Sequence, residues 1–304
     1  MLLQKLQEAS VIHPPKFLIA NTHYLTQMGS VAYGVSGESS DVDVYGFCIP
    51  QKESVFPHLA GEILGFGRQI QRFEQWSEHH IVHPDKLGIT YDCTVFSIVK
   101  QFQLCMENNP NMIDSLFTPR RCVLHSTQVG ELVRENRRIF LHKGCWHKFK
   151  GYAYSQMHKI KGKVNASNPA RADSIEKYGY DIKFAYHVVR LLGECEQILV
   201  ERDLDLERNR EQLKSIRRGE WTVEQVEKWF EEKERTLETI YATSTLPRSP
   251  DEERIKTLLL NCLEIHYGSL EKAVVRVSSV DRLVRDMREV LDRYEQIVPV
   301  ASSS

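Results

Sequence analysis

Hydrophobic and polar residues alternate most clearly over residues 42 to 49, as in a β-strand with one buried face. The apolar side chains assigned to one face are Val42, Val44 and Phe47. Asp41, Asp43 and Tyr45 are expected on the opposite face, because successive side chains in a strand alternate in direction. Two carboxylates therefore share one face of a predicted strand, which Pro50 ends.

A third acid, Asp92, lies near the end of another predicted strand, Ile89 to Thr94. Thr94 is predicted to cap a helix over residues 95 to 107, because threonine oxygens accept hydrogen bonds from free amides at helix starts. Residues 66 to 73 are a weaker candidate for a further strand. The first half of the chain therefore reads as mixed α and β structure.

From Thr127 onward the pattern changes to the 3.6-residue period of amphipathic helices. Helices are predicted over residues 127–138, 145–163, 173–201, 207–217, 222–243, 250–269 and 279–296, in addition to a short one over residues 2–9. Breaks are expected at Gly144, Asn165 to Pro169, Gly219 and Leu246-Pro247. A mixed N-terminal half is thus followed by a helical C-terminal half.

Composition narrows the class of protein. The chain has 304 residues, of which 41% are hydrophobic and 27% charged, which is enough to bury a sizeable core. It contains no run of eighteen apolar residues and no apolar N-terminal leader, so we expect a cytoplasmic protein without a membrane partner. The seven cysteines include no C-x-x-C pair, which favours reduced, buried thiols.

The formal net charge of -1 conceals an uneven distribution. Residues 136 to 171 contain nine Lys or Arg and no Asp or Glu, whereas residues 194 to 238 are rich in acids. Such a basic tract suits a polyanionic ligand such as a nucleoside triphosphate or RNA, because it concentrates anions locally. The alternative is a basic face that only contacts solvent.

A Gly29-Ser30 turn precedes the acidic strand and suggests chemistry for its carboxylates. Backbone amides and a hydroxyl at such a turn can hold phosphate, and Gly29 and Gly34 would let the chain approach it closely. The expected ligands for hard divalent cations are Asp41, Asp43 and Asp92. Ser40 is expected to help order them. The spacing predicts a metal-dependent nucleotidyl transfer site.

Several sequence blocks together resemble the signature of the DNA polymerase β nucleotidyltransferase superfamily. These blocks are Gly29 to Gly34, Ser40 to Gly46, Asp92 with the following helix and Asn109-Pro110, Gly151 to Gln156, Lys177 to Lys183 with His187 and Arg190 to Leu192, and Ile216 to Glu220. Within the superfamily they look like the YcgL/RlaP branch, predicted nucleotidyltransferases associated with RNA repair. The resemblance spans about residues 20 to 265.

The resemblance implies an α+β fold in two domains. A polymerase-β-like palm, a mixed sheet with helices, would occupy residues 1–125, and a mostly helical domain closing the nucleotide cleft would occupy residues 126–304. The resemblance also implies dependence on Mg²⁺, with two ions expected and Mn²⁺ able to substitute, and a nucleoside triphosphate donor, ATP or CTP. The catalytic residues, which are also the metal ligands, would be Asp41, Asp43 and Asp92.

The helical half is expected to supply the far wall of this cleft. Lys183, His187 and Arg190 recur at i, i+4 and i+7, so they share one helix face. A second stripe with the same spacing is Tyr152, Gln156, Lys159 and Lys163. The residues assigned to nucleotide binding are Gly29, Ser30, Ser40, Lys159, Tyr180, Lys183, His187 and Arg190. Basic side chains would contact phosphates, and tyrosine would contact the base.

Other residues have simpler interpretations beside functional ones. His79, His80 and His83 invite a zinc hypothesis, but no matching ligand pair accompanies them, so they are interpreted as loop residues. Cys145 has no sequence feature of an oxyanion site beside it, which argues against a thiol nucleophile. The charged helix predicted over residues 279–296 could pair with another chain or cap the core, so the oligomeric state stays open.

These observations predict a template-independent nucleotidyltransferase acting on an RNA 3′ end, with damaged tRNA as the expected acceptor. An acceptor hydroxyl would attack the α-phosphate of the triphosphate, and Asp92 would favour its deprotonation. Two alternatives remain open. The same palm serves enzymes that adenylylate proteins or small molecules, as in toxin–antitoxin systems and antibiotic modification, and it could also persist as a catalytically silent nucleotide- or RNA-binding module.

Overall fold

The structure is a computed structural model that describes most of the chain. The described residues are 1–36, 42–67, 69, 72–82, 89–161, 169–274, 283–284, 287–288 and 290–291, and for 161, 169–173 and 272 only the backbone is described. Ser40 and Asp41 lie outside these ranges, as does most of the helix predicted over residues 279–296. Within the described ranges, no helix combines the length and apolar character needed to cross a membrane.

A five-stranded mixed sheet forms the centre of the N-terminal half. Its strands are β1 (Thr22–Gln27), β2 (Val42–Cys48), β3 (Gln75–Val82), β4 (Thr90–Ser97) and β5 (Val123–Ser126). They lie in the order β3-β4-β2-β1-β5, and only β2 and β4 are parallel. The prediction of an α+β fold with a mixed sheet is confirmed.

Helices surround this sheet and make up the C-terminal half. They are α1 (Leu2–Glu8), α2 (Lys52–Val55), α3 (Ile98–Met106), α4 (Pro110–Phe117), α5 (Gln128–Glu135), α6 (Cys145–Lys161), α7 (Pro169–Tyr178), α8 (Ile182–Glu201), α9 (Arg210–Arg217), α10 (Val223–Thr243), α11 (Glu252–Tyr267) and α12 (Leu270–Val274). One predicted helix, 173–201, is two helices. Gly179 with φ 79° ends α7, and the Asp181 side chain caps α8 by accepting a hydrogen bond from the Lys183 amide at 2.9 Å.

The central strands differ from their predictions in two details. Thr94 caps no helix, because β4 continues to pair with β2 as far as Ser97, and Ser97 caps α3 instead. Phe47 packs on the same side of the sheet as Tyr45, whereas Val44 belongs to the core on the opposite side. The two-residue period of a strand requires this arrangement, so the assignment of Phe47 beside Val44 was wrong.

The region before β4 also differs from its prediction. The strand here is Gln75–Val82 rather than residues 66–73, where the described part contains only an isolated bridge between Ile63 and Phe66. His79 and His80 therefore lie within a strand and not in a loop, while His83 is outside the described residues. The register of β3 against β4 shifts between Glu78 and Ile81, so the two histidines form a bulge at the sheet edge.

Each face of the sheet has its own core. Helix α1 and residues 12 to 19 cover one face, packing on Val44 and Cys93. The larger core begins on the other face, with Phe47 among its members, and continues without a break into the helices, where α6 packs along α8. All seven cysteines are buried and unpaired, including Cys145. The face that carries Asp43 is therefore the face turned toward the helical half.

Candidate active site

Asp43 and Asp92 lie side by side on the two parallel strands at the centre of the sheet. Asp43 is the register partner of Asp92, and Tyr45 is the partner of Thr94. Partners in adjacent strands point to the same face, and neighbouring strands are about 4.8 Å apart. The two carboxylates are therefore adjacent, as expected from the sequence, although their catalytic role stays a prediction.

The bulge in β3 supports Asp92 from the side. The backbone amide of His80 donates a hydrogen bond to Oδ1 of Asp92 at 2.8 Å, and the ring Nδ1 of His79 lies 3.6 Å from the same oxygen. His80 has a φ of 56°, a left-handed conformation that the bulge imposes. One carboxylate oxygen is thus fixed by the neighbouring strand, which leaves Oδ2 to face other groups.

The Gly-Ser turn contacts Asp43 directly. The Met28 amide donates to the backbone oxygen of Asp43 at 2.7 Å, which joins the turn to β2. Gly29 has a φ of 68°, and a Cβ atom built on it would lie only 2.3 Å from Oδ2 of Asp43. Gly34, expected near phosphate, instead has the Glu207 carboxylate beside it, 2.8 Å from a built Cβ. The position of the Asp43 carboxylate therefore requires a glycine at residue 29, because any side chain there would displace it.

A cavity of about 590 Å³ separates this acidic pair from helix α8. The side formed by the sheet, termed the sheet wall, consists of Gly29, Ser30, Asp43, Tyr45 and Asp92. The opposite side, termed the helix wall, consists of Lys183, Tyr186, His187, Arg190 and Arg217. A cavity of this size is typical of sites for small molecules and cofactors. Opposite charges therefore face each other across one cleft.

The sheet wall has the chemistry of a divalent cation site. Burial raises the pKa of Tyr45 above its ordinary value, and the negative charges of Asp43 and Asp92 raise it further. Two carboxylates side by side can share a cation, and oxygen atoms are the ligands that Mg²⁺ prefers, but a metal at this site stays a prediction. Within the part of the chain that the structure describes, no three His, Cys, Asp or Glu side chains converge to hold a metal. Asp41, the remaining member of the predicted set of three acids, is outside that part.

Lys183 and His187 give the helix wall its accessible polar groups. Lys183 is exposed in the first turn of α8, and His187 lies one turn later on the same face. Among the described residues, Lys183 has no carboxylate within ion-pairing distance. Lys183 and His187 therefore line the cleft together, and their contact with a phosphate stays a prediction.

Arg190 differs from its neighbours on this wall because it is buried and bound on several sides. Its Nη1 donates to Oδ2 of Asp114 at 2.5 Å and to the hydroxyl of Tyr33 at 2.5 Å, and it also lies 3.1 Å from Oε1 of Glu194. The Tyr33 hydroxyl in turn donates to Asp114 at 2.6 Å. Arg190 therefore joins the segment after the Gly-Ser turn to α4 and α8.

The charges in this buried cluster do not balance unless one acid is protonated. Burial raises the pKa of Glu194 well above its ordinary value and also raises the pKa of Asp114. Burial alone would lower the pKa of Arg190, but the charges of Glu194, Tyr33 and Asp114 hold it well above its ordinary value. Protonation of one of the two acids would leave Arg190 paired with a single carboxylate charge.

Two predicted nucleotide-binding residues lie outside the main cavity. Tyr180 is buried, and its hydroxyl donates to the backbone oxygen of Trp221 at 2.7 Å, so it fixes the start of α8 to the segment before α10. Lys159 lines a second cavity, of about 310 Å³, beside the first. This side pocket is lined by Asn109, Pro110, Asn111, Tyr152, Gln156, Lys159, Lys183, Phe184, His187, Arg190 and Leu191.

The basic tract is neutralised in part by acids from elsewhere in the chain. Lys150 pairs with Glu234 of α10 at 2.6 Å, and Lys148 pairs with Glu107 at 3.2 Å. Part of the positive charge read from the sequence is therefore neutralised by ion pairs with acids of other segments. Lys159 is an exception, since its ammonium group lies over the ring of Phe184 at 5.5 Å from the centroid.

Several residues of the site were not predicted from the sequence. Asp114 carried a usable signal, because it is an acid within the apolar segment Met112 to Phe117, and a buried acid needs a partner. Glu194 on α8 has the same character. Tyr186 carried no comparable signal, because aromatic residues in helices are common, and Arg217 lay within the Ile216 to Glu220 block but was assigned no role.

Comparison with known proteins bears on the fold and the family. No curated protein matches the chain. Among solved structures, the crystal structure of a nucleotidyltransferase-like protein from Exiguobacterium sibiricum 255-15 aligns with 86% of this chain and 72% of its own, at 8% identity and a TM-score of 0.28. That likeness is too remote to carry an argument. The model of the family described as "RlaP: RNA repair pathway DNA polymerase beta family" matches residues 3–261.

That match covers both walls of the cleft, from the Gly-Ser turn through α8, and most of the helical half. It confirms the resemblance on which the sequence blocks converged. The protein accordingly belongs to the RlaP family of polymerase-β-like nucleotidyltransferases of RNA repair.

Proposed function

We propose that the protein transfers a nucleoside monophosphate from a nucleoside triphosphate to the 3′ hydroxyl of an RNA, with damaged tRNA as the expected acceptor. One observation carries the proposal. The paired carboxylates of Asp43 and Asp92 face the basic groups Lys183 and His187 across a single cavity. Such a cleft offers both signs of charge that the reaction requires, because the triphosphate is anionic and the acidic wall can bind cations.

The donor would lie between the two walls. Ser30 and the backbone around Gly29 would contact its terminal phosphates, while Lys183 and His187 approach the triphosphate from α8. Both ATP and CTP suit this arrangement, because these contacts involve phosphate oxygens and not the base. The helix wall therefore supplies charge and position, which are the main protein contributions to phosphoryl chemistry.

The residues of the sheet wall fit Mg²⁺. Asp43 and Asp92 would hold it, together with Asp41, which precedes Asp43 by two residues in the sequence, and Mn²⁺ would substitute. Bound Mg²⁺ would neutralise charge on the triphosphate and lower the pKa of the attacking hydroxyl. The Gly29 position is consistent with this role, since the absence of a side chain keeps Oδ2 of Asp43 in place.

The reaction exchanges a phosphoanhydride bond of the triphosphate for a phosphodiester bond. The acceptor oxygen forms a bond to the α-phosphorus, the bond to the pyrophosphate leaving group breaks, and the hydroxyl proton leaves the acceptor. Asp92, as a metal ligand, would favour loss of this proton, and the His80 amide bound to Oδ1 would hold its carboxylate in place. The buried Arg190 cluster would hold α8 and the Gly-Ser segment in register during this step.

Label transfer tests the proposal. The purified protein is incubated with Mg²⁺ and each α-labelled triphosphate, with bulk tRNA, a single-stranded RNA ending in a 3′ hydroxyl, the same RNA with a blocked 3′ end, or no acceptor. We expect label on RNA only when the 3′ hydroxyl is free, and no label when EDTA replaces Mg²⁺. Label on the protein or on a small molecule alone would instead support an adenylyltransferase, and no transfer to any acceptor would support a silent binding module.

A further inference from the structure

The side pocket is a separate compartment that opens from the helix wall of the cleft. It shares Asn111, Lys183, His187 and Arg190 with the main cavity. Its remaining lining comes from the start of α4, from one face of α6, and from Phe184 and Leu191 of α8. Lys183 and His187 therefore stand between the two compartments, so a ligand in the side pocket would lie next to a donor in the cleft.

The chemistry of the side pocket differs from that of the cleft. Among the described residues, its lining includes no carboxylate, whereas the cleft contains Asp43 and Asp92. Its polar groups include three amide side chains, Asn109, Asn111 and Gln156, each able to donate and accept hydrogen bonds. This lining suits an uncharged polar group attached to an anion, and it gives a metal ion no charged ligand.

Tyr152 gives the pocket an accessible aromatic surface. Its residue is 42% exposed, and the Asn109 side-chain amide lies 3.5 Å from its hydroxyl. Lys159 lies further along α6, at one side of the pocket. Its ammonium group lies over the ring of Phe184, and no described acid pairs with it. An exposed ring beside amides and an unpaired ammonium group is the combination that binds single-stranded nucleic acid, through base stacking and phosphate contacts.

We propose that the side pocket binds the 3′-terminal nucleotide of the acceptor RNA. Tyr152 stacks on the base, the amides of Asn109 and Gln156 contact its edge, and Lys159 binds the adjacent phosphate. The volume of about 310 Å³ suits a single nucleotide, while the cavity of about 590 Å³ takes the donor. The inference rests on the proposed function, because it assigns the acceptor of that same reaction.

Tyr152→Ala tests the stacking contact, with Tyr154→Ala as the matched control. Both tyrosines are exposed on α6, but Tyr154 faces α10, where its hydroxyl donates to Glu234 at 2.6 Å and its ring packs on Phe230. The probe is a fluorescent single-stranded RNA with a 3′ hydroxyl, titrated without triphosphate. We expect Tyr152→Ala to weaken RNA binding about 10-fold or more, and Tyr154→Ala to leave it unchanged.

Lys159→Gln gives a second, independent readout. Loss of one phosphate contact is expected to reduce the slope of log affinity against log salt by about one. Lys228→Gln serves as control, because Lys228 is exposed on α10 and its loss should not alter the slope. In the transfer reaction, both side-pocket variants should raise the KM for RNA about 10-fold while the KM for the triphosphate is unchanged.

The outcomes separate this inference from the proposed function. If Tyr152→Ala raises only the KM for the triphosphate, the pocket holds the donor base and the inference is wrong. If both tyrosine variants weaken RNA binding equally, or neither does, the pocket is not an RNA site. If no transfer occurs but Tyr152→Ala still selectively weakens RNA binding, the pocket assignment holds and the proposed reaction fails.

Discussion

The sheet wall and the helix wall of the cleft place their charged groups by different means. On the sheet wall, backbone pairing between parallel strands sets Asp43 directly beside Asp92. On the helix wall, the spacing along α8 puts Lys183, His187 and Arg190 on one face, but the surrounding structure decides what each of them does. A strand register therefore fixes a pair of side chains, whereas a helical stripe fixes only their direction.

Arg190 illustrates the consequence. It has the same spacing as its two neighbours, yet it is only 6% exposed and bonded to Asp114 and Tyr33, while Lys183 at the other end of the stripe is open to the cleft. Substitutions on the sheet wall should therefore affect the chemical step. On the helix wall, substitution of Arg190 should affect folding, whereas substitutions of Lys183 and His187 should affect donor binding.

The largest effect is expected for Asp43→Asn on the sheet wall. Asparagine has the shape of the carboxylate but not its charge, so it should bind a cation less well. The rate of transfer should therefore fall by about 10⁴-fold, equivalent to roughly 5 kcal/mol of activation free energy. Single-turnover label transfer measures the loss. Glu252→Gln, an equal loss of charge in the first turn of α11, is the control and should be unaffected. If transfer stays within about 10-fold of wild type, Asp43 has no essential part in the reaction.

Arg190→Met tests the buried member of the helix wall. Removing the guanidinium leaves the fully buried Asp114 without its cationic partner. This should lower the free energy of unfolding by about 3–4 kcal/mol. Urea denaturation measures this loss.

The matched variant for Arg190→Met is Lys183→Met, which makes the same replacement of a cation on the same stripe. Lys183 is exposed, so its loss should change the free energy of unfolding by less than about 0.5 kcal/mol. The KM for the triphosphate should instead rise by about 5- to 10-fold, because one phosphate contact is lost. Equal effects of the two variants on unfolding would show that the stripe is uniform, contrary to the structure.

The same contrast explains what the sequence could predict. Alternation over a few residues identified β2, and the pattern placed Asp92 on another strand, whereas the expectation that Asp92 joins Asp43 came from the family resemblance and from the need of a metal site for converging acids. The partner of Arg190 is Asp114, 76 residues away along the chain, and no local pattern links them. Burial of a charged residue depends on such distant partners, so periodicity alone could not separate Arg190 from Lys183.

Boundaries between elements were missed for a related reason. Thr94 had the residue type of a cap, but pairing of β4 with β2 extends the strand to Ser97, and tertiary contacts outweigh a capping preference of about 1 kcal/mol. Tyr180 belongs to a block typical of the family, yet its hydroxyl is satisfied by the Trp221 backbone oxygen. A motif thus indicates that a segment matters without showing which atoms face the ligand.

The most direct test of the geometry of the sheet wall is Gly29→Ala. A left-handed φ disfavours alanine by about 1–2 kcal/mol, and its Cβ would lie 2.3 Å from Oδ2 of Asp43, so the carboxylate must shift. Misplacing a reacting group by about 1 Å can reduce transfer by about 10²-fold.

Gly61→Ala separates strain from collision in this prediction. Gly61 also has a positive φ, of 84°, but a Cβ built there meets no atom within 4 Å. Both variants should lose a similar free energy of unfolding in urea, whereas only Gly29→Ala should lose transfer. Equal activity of the two variants would mean that Asp43 tolerates displacement, and the strict geometry attributed to the sheet wall would not be needed for the reaction.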